Sequence, residues 1–376
     1  MVYIGCARNL QEIENALLLA TLCFRSETTD EAINVKRLLM SPGNSFAKQD
    51  VIVLIKPSGE ICGTCFLIDR LFYRGKNQVQ GTFLSSICIA EGSRGEGLSR
   101  LLMNAAIEEC ERRSSAFAIL IARRAVDHFY NKFFFWGLSQ YSSINIKLSD
   151  TGPLIENYST AAVTEDDLEI INKLYEGSYR NLYGACVRSK QYWKYLIWKI
   201  NEQSQQFSVF KRDGEIKGYA IFSGCNLHEF GTADDVSSLE LLNEFGKKNS
   251  LKEVNLSGSQ DHPVVRELQG LDFTITQRQC NYGGHMVRII CKDRLINSLR
   301  EELQEELDCL GVKQWSEQYG EVRIEVNRGK IDLALTGPVN CYKSTCVLMG
   351  ADYLSASNRF IVYKPRSFNV PLMDQG

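Results

Sequence analysis

The stretch Ser93-Arg94-Gly95-Glu96-Gly97-Leu98-Ser99-Arg100-Leu101-Leu102-Met103 sets two glycines and an arginine directly before a helical pattern. Leu98, Leu101, Leu102, Ala105, Ala106 and Cys110 recur at helical spacing and predict a buried face. Arg100, Asn104, Glu108 and Glu111 mark the wet face. Just upstream, GTFLSSICIA (81–90) reads as a strand. The first turn of a helix leaves backbone N–H groups without partners, and they carry partial positive charge. Gly95 and Gly97 permit positive φ and close approach, and Arg94 adds a guanidinium suited to phosphate oxygens. Strand, glycine turn and helix start together read as an anion cradle. It is not the nucleoside-triphosphate loop, which ends in Gly-Lys-Ser/Thr. Nor is it the dinucleotide fingerprint, because Arg100 stands where a third glycine belongs. The competing reading is a plain helix-start turn carrying an exposed arginine.

Around this stretch, helix and strand alternate. Leu10, Ile13, Leu17 and Ala20 share one face of an early helix. VIVLIKPSGEICGTCFLIDR (51–70) predicts a hairpin turning at Pro57–Glu60, and AFAILIA (116–122) a buried central strand. DHFYNKFFFWG (127–137) follows, and YSSINIKLS (141–149) closes the region near Asp150. A second unit begins near Ala161, with Thr164 as an N-cap before three acids. Its Gly214-Glu215-Ile216-Lys217-Gly218 repeats Gly59-Glu60-Ile61-Cys62-Gly63, which predicts a duplicated fold. The second copy has no counterpart of the cradle: LHEFGTADDVSSLELLNEF (227–245) carries acids there instead. A third unit contains a helix over 294–308 and a hairpin turning at Asn327–Lys330.

The bulk numbers bound the rest. A chain of 376 residues exceeds one ordinary core, and the units are read as 1–150, 151–292 and 293–376. A net charge of −2 gives no basis for phosphate-driven nucleic-acid binding. No apolar run is long enough to predict a membrane span, and Glu12 and Glu14 interrupt the N-terminal apolar residues, so no signal peptide is read. The odd count of 13 scattered cysteines predicts reduced thiols and a cytoplasmic protein. Cys62 and Cys65 lack further ligands at metal spacing and read as strand residues, so no metal is expected. His128 and His262 read as local structural residues, and the aromatic cluster Phe129–Trp136 as core that partly lines a pocket.

Arg94 to Ser99 resembles the Arg/Gln-x-x-Gly-x-Gly/Ala signature of the GCN5-related N-acetyltransferases (GNAT), with Ser99 replacing the last small residue. The resemblance implies an α/β (α+β) fold of tandem GNAT units with mixed central sheets. It implies that Arg94, Gly95, Glu96, Gly97, Leu98 and Ser99 hold the pyrophosphate of acetyl-CoA. The splayed strand at Ile87, Cys88 and Ile89 would contact the pantetheine arm. HFYNKFFFWG (128–137) is similar to the family's Phe-Tyr-x-x-x-Gly-Phe segment, with Trp136-Gly137 after an extra aromatic. That mapping makes Tyr130 the general acid for the departing thiolate, a role suited to a phenol of pKa near 10.

The unit order resembles the enhanced intracellular survival group: an active GNAT domain, a degenerate one, then a small α+β sterol-carrier-protein-like domain. Gly284–Ile290 is similar to their strand leading from the second into the third domain. The resemblance further implies the C-terminal carboxylate of Gly376 as general base, a small-molecule or peptide amine acceptor, and a homo-oligomer, hexameric in many relatives. The amine would attack the thioester directly in a ternary complex, with N–H groups near Ile89 stabilising the oxyanion. Two other functions compete. An aminoacyl- or peptidyl-transferase needs a basic tRNA surface, against which the net charge counts. A non-catalytic ligand-binding protein leaves one intact cradle unexplained.

Overall fold

The computed structural model describes residues 1–25, 29–40, 47–74, 77–123, 125–138, 140–148, 158–259, 261–268, 273–279, 284–311, 313–319, 321–338, 341–349 and 372–374. In the first half, β1 (Tyr3–Cys6), α1 (Leu10–Arg25), α2 (Asp30–Met40), β2 (Val51–Ile55), β3 (Ile61–Arg74), β4 (Asn77–Ile89), α3 (Leu98–Arg112), β5 (Phe117–Ala122), α4 (Asp127–Asn131) and β6 (Trp136–Gly137) follow one another. Then come β7 (Gln140–Lys147), β8 (Tyr158–Ala162), α5 (Leu168–Tyr179), α6 (Lys190–Glu202), β9 (Gln206–Arg212), β10 (Glu215–Ser223), β11 (Asn226–Thr232), α7 (Ser238–Lys248), β12 (Glu253–Gly258), α8 (Pro263–Glu267), β13 (Phe273–Gln279) and β14 (Gly284–Ile289). The last part holds α9 (Lys292–Leu310), β15 (Gln314–Tyr319), β16 (Val322–Asn327), β17 (Lys330–Leu335) and α10 (Tyr342–Met349).

Two seven-stranded mixed sheets result, ordered β1-β2-β3-β4-β5-β14-β6 and β13-β7-β12-β11-β10-β9-β8. Each sheet borrows one strand. β7, which the sequence places at the end of the first unit, pairs antiparallel with β12 and β13 of the second sheet. β14 returns from the second half and sits between β5 and β6. Hydrophobic pattern marks a segment as a strand but does not name its sheet.

The first sheet has three covers. α1 lays Ile13, Ala16, Leu17 and Ala20 on Val51, Val53, Ile55 and Phe66. α3 and α4 cover the opposite face through Ile52, Leu54, Leu67 and Leu120. The far part of the α1 face, with Phe72, Phe83, Phe117 and Val287, carries α9 and the three-stranded sheet β15-β16-β17 in one continuous core. Within α3 the buried stripe is Leu98, Leu102, Met103, Ala106, Ile107 and Cys110, whereas Leu101 is 40% exposed. The expected stripe is thus right in period and turned by a fraction of a turn. In α1, likewise, Leu10 is exposed.

The hairpin expected at 57–60 forms, with Gly59 at φ 89°. So does the one at 327–330, where Arg328 and Gly329 adopt φ 52° and 77°. β3 and β4 run well past the expected strand ends. Their outer arm meets both other units: Tyr73 N–H donates to Ala185 O (2.9 Å), and Arg74 bonds Leu348 O and faces Glu302.

The repeated Gly63 and Gly218 occupy matching places. Gly63 pairs with Ile89, the last residue of β4, and Gly218 with Thr232, the last of β11. A Cβ on Gly63 would lie 2.8 Å from Ile89 and Leu54 side chains, and one on Gly218 2.6 Å from Leu241. The same close approach therefore favours glycine in both copies.

Candidate active site

The site begins with an irregular strand. Opposite β3, the register of β4 jumps so that Ser86 and Ile87 share a single partner position, and Ser86 takes φ 51°. This is a β-bulge, which bends its strand. β4 pairs with β5 only over Gly81–Phe83 and Phe117–Ile119; beyond that the two parallel strands part. Ile87, Cys88 and Ile89 lie in the parted section and are half-buried. Their side chains alternate: Ile87 and Ile89 pack toward α3 and α4, Cys88 toward α1.

The chain then makes a short 3-10 turn and enters α3. Gly95 and Gly97 take φ 84° and 76°, and Gly97 is the N-cap. A Cβ added at either meets nothing within 4 Å, so the backbone angle, not crowding, calls for glycine. Among the described residues no hydrogen bond engages the N–H groups of Gly95, Glu96, Gly97, Leu98 or Ser99. Arg94 is exposed beside them, with its Nε 3.4 Å from Ile89 O. A run of free N–H groups under an arginine fits a diphosphate, so the expected cradle residues stand together.

Tyr130 arrives from the other side of the split. α4 buries it against Phe129 (ring centroids 5.3 Å) and Phe135 (6.5 Å), in the core that also holds Cys65, Ile87 and Ile89. Burial pushes its phenol up to about 12, with Cys65 and Cys88 adding smaller effects. The phenol therefore keeps its proton at neutral pH. The altered Gly-Phe of this segment falls on Phe134-Phe135, since Phe134 holds φ 60° and is half-exposed. His128 points to solvent, 3.9 Å from Asp127.

A groove of about 700 Å³ runs from the cradle between α3 and α4, lined by Gly97, Ser99, Arg100, Lys132, Phe134 and Arg288. Arg288 belongs to β14 and donates to Phe133 O (2.8 Å). Sequence reading missed it, because only the strand exchange brings residue 288 to this groove. Cys62 and Cys65 are buried free thiols of β3, as read.

The second sheet repeats the arrangement with the helix start filled. β11 and β12 are also parallel and part after two residue pairs. At the start of α7, however, Ser237 caps the Glu240 N–H, and the Glu267 carboxylate accepts from Leu239 N–H (3.2 Å) and Ser237 Oγ (2.7 Å). A protein carboxylate thus occupies the place where the first copy is open. On the helix-covered side of β11, Arg188 pairs with Glu229 (2.6 Å) and with Asp374 of the C-terminal segment (2.9 Å), all fully buried. Lys199 Nζ donates to Met373 O (3.1 Å). Gly376, expected as the base, lies outside the described residues. His262, read as a turn residue, is the buried N-cap of α8; its ring accepts from Val264 N–H, and Nε2 lies 3.0 Å from Phe230 O.

Residues 8–138 match the family model of the acetyltransferase (GNAT) domain. No curated protein matches the chain at a significant level. Among solved structures, a GCN5-related N-acetyltransferase from Anabaena variabilis ATCC 29413 superimposes with a TM-score of 0.64 at 15% identity, over 90% of this chain and 86% of that one. A probable N-acyltransferase from Enterococcus faecalis V583 gives 0.64 at 13%, with coverage of 90% and 86%. Eis1 from Mycobacterium abscessus gives 0.61 at 13%, over 93% and 90%. The sheet orders and these matches agree: residues 8–138 are similar to a GNAT acetyltransferase domain, and the chain shares with those structures a fold of two GNAT-like sheets.

Proposed function

We propose that the protein is an acetyl-CoA-dependent N-acetyltransferase acting on a primary amine in a ternary complex. The observation that carries this is the contrast between the two helix starts. That of α3 is open beneath Arg94, whereas Glu267 blocks that of α7. Only the first copy is fit to bind an anionic co-substrate. In this reading Arg94, Gly95, Glu96, Gly97, Leu98 and Ser99 hold the pyrophosphate, and Arg100, Lys132 and Arg288 attract the phosphorylated nucleotide end. The backbone of Ile87, Cys88 and Ile89 takes the pantetheine arm.

Acetyl-CoA supplies the thioester when bound. The chain's own groups do the rest. The acceptor ammonium must lose a proton before its nitrogen can attack. The Gly376 carboxylate is proposed as the base, and the Asp374–Arg188 pair would hold the segment that bears it. N–H groups near Ile89 steady the developing oxyanion. Tyr130 keeps its proton until the sulfur leaves, then donates it. The three units 1–150, 151–292 and 293–376, the last sterol-carrier-like, the likeness to the enhanced intracellular survival group, a cytoplasmic setting and a homo-oligomer belong to the same proposal.

Calorimetry with acetyl-CoA is the test. The wild type should bind, and Gly97→Glu should lose binding through bulk and charge. Gly97→Ala isolates the backbone effect, because its methyl enters open space. No heat with the wild type would sink the proposal. A panel of amines assayed for thiol release would then define the acceptor. Removing Gln375 and Gly376 alone spares the Asp374 anchor, and full turnover afterwards would reject the carboxylate as base.

A further inference from the structure

The cradle, the groove and Tyr130 all lie on the α3 and α4 face of the first sheet. A thioester that reaches the split from that side leaves the α1 and α2 face to the acceptor. There α2 covers the bulge directly, with Met40 Sδ 3.1 Å from Ser86 Oγ. Cations stand on this second face. Arg70 of β3 rises beside Phe83, the last residue of β4 to pair with β5, and so marks the point where the strands part. Its guanidinium carbon lies 5.8 Å from the centre of the Phe83 ring and 4.2 Å from that of Tyr192 in α6. Further along, Phe24 in the last turn of α1 meets Lys36 of α2 (4.6 Å) and Arg123, which follows β5 (6.0 Å).

Arg70 differs from the other arginines set among rings. Arg188 stacks on Tyr175 (3.8 Å) and Trp193 (4.5 Å), and Glu229 and Asp374 take its N–H groups. Arg74 lies over Tyr183 and bonds Leu348 O. Arg70 has the rings and no acceptor: among the described residues no hydrogen bond or ion pair engages its side chain, and its Nε is buried without a partner. An aromatic face attracts the charge but offers no oxygen to the N–H groups, and a buried charge left so is costly. The residue is still partly exposed, so a ligand can reach it. A carboxylate matches the guanidinium fork. We propose that the acceptor amine also bears a carboxylate, and that Arg70 binds it. The length of the acceptor follows from the strand. Phe83 and Ile87 are four positions apart in β4, roughly 10–13 Å with the bulge between them. The carboxylate therefore sits roughly 10 Å from the reacting nitrogen, about the reach of three extended residues. Lys36 and Arg123 act in the same sense: they repel an acceptor that carries only positive charge. The part Arg70 plays in turnover rests on the function proposed above; its affinity for a carboxylate does not.

Triglycine and trialanine are assayed with the full-length protein and acetyl-CoA, each as the free acid and as the C-terminal amide, with thiol release as the readout. The acids should exceed the amides in kcat/KM by roughly tenfold or more, the weight of a hydrogen bond to a charged group, and mainly through KM. Arg70→Gln should bring the ratio close to one. Arg70→Lys keeps the charge but loses the fork, so it should lower the ratio less. Equal rates for acids and amides, or a ratio that Arg70→Gln leaves in place, would overturn the proposal. Should Arg70→Gln fail to fold, read by its denaturant midpoint, Arg70→Lys decides, and an undiminished ratio there would overturn it. An aminoalkylphosphonate of the same length that outruns the acids would put a phosphate in place of the carboxylate and overturn it too. In a second arm the same peptides are titrated calorimetrically without acetyl-CoA. The acids should bind more tightly than the amides to the wild type and equally to Arg70→Gln; acids that do not bind, or bind no better, would overturn the site. A protein that acetylates no amine would refute the proposed function, while the titrations still decide Arg70. Transfer to acids and amides alike would leave that function standing and remove the carboxylate.

Discussion

Burial against Phe129 and Phe135 raises the Tyr130 phenol to about 12, so the proposed acid needs no charged partner to stay protonated. Tyr130→Phe is expected to keep acetyl-CoA binding and to slow thiol release by about 10²–10⁴-fold, the usual weight of a general acid. Unchanged release with a good amine would remove Tyr130 from the mechanism. The sign of the pH effect follows from the shift. The protonated form persists until the folded value near 12, so turnover should hold through pH of about 10, where an ordinary phenol titrates. A falling limb centred near 10 would mean an unshifted phenol. Tyr130 and the cradle were legible because their signals are local: a few residues fix the spacing, the turn and the helix start. Glu267 and Arg288 were not. Each acts on a group far away in sequence, and nothing in its own neighbourhood marks it.

At the scale of elements, the long β3–β4 arm depends on close backbone approach. A Cβ at Gly81 would lie 2.5 Å from the Phe117 ring and 3.0 Å from Phe72. Gly81→Ala is therefore expected to cost about 1–3 kcal/mol by overpacking, read as a lower denaturant midpoint. An unchanged midpoint would show that the rings move aside at no cost. The extension of this arm escaped the sequence because LFYRGKNQVQ (71–80) lacks the pattern of a free-standing strand; Ala185 and Glu302 of other units order it from outside. α7 invites the converse experiment. Glu267→Ala should cost about 1 kcal/mol through loss of the cap interaction. It should not confer acetyl-CoA binding, because no glycine pair or arginine equivalent to Gly95, Gly97 and Arg94 precedes that helix. Heat from a second binding event in this variant would contradict the account of the degenerate copy.

For the whole molecule, the buried group of Arg188, Glu229 and Asp374 ties the chain end to the second sheet. Arg188→Met would leave the buried Glu229 and Asp374 carboxylates without the guanidinium that both bond. A loss of about 3–5 kcal/mol is expected, read by denaturant unfolding. Acid should weaken the fold as well. Burial pushes His262 and His285 down to about 4, below the usual 6.5. The unfolded chain therefore binds protons first, and stability falls as pH drops from about 6.5 to about 4, by roughly 3 kcal/mol for each histidine. A flat stability profile over that window would show that neither is held neutral, and half the expected fall that only one is. The duplication could be read from the repeated glycines, which fall at matching places in the two sheets. The trading of β7 for β14 could not, since either strand satisfies the same alternation in either sheet. That trade bears on descent. A recombination break between the two halves would strand β7 without neighbours and open a gap between β5 and β6. The two copies are then inherited together, because each is missing a strand that the other carries.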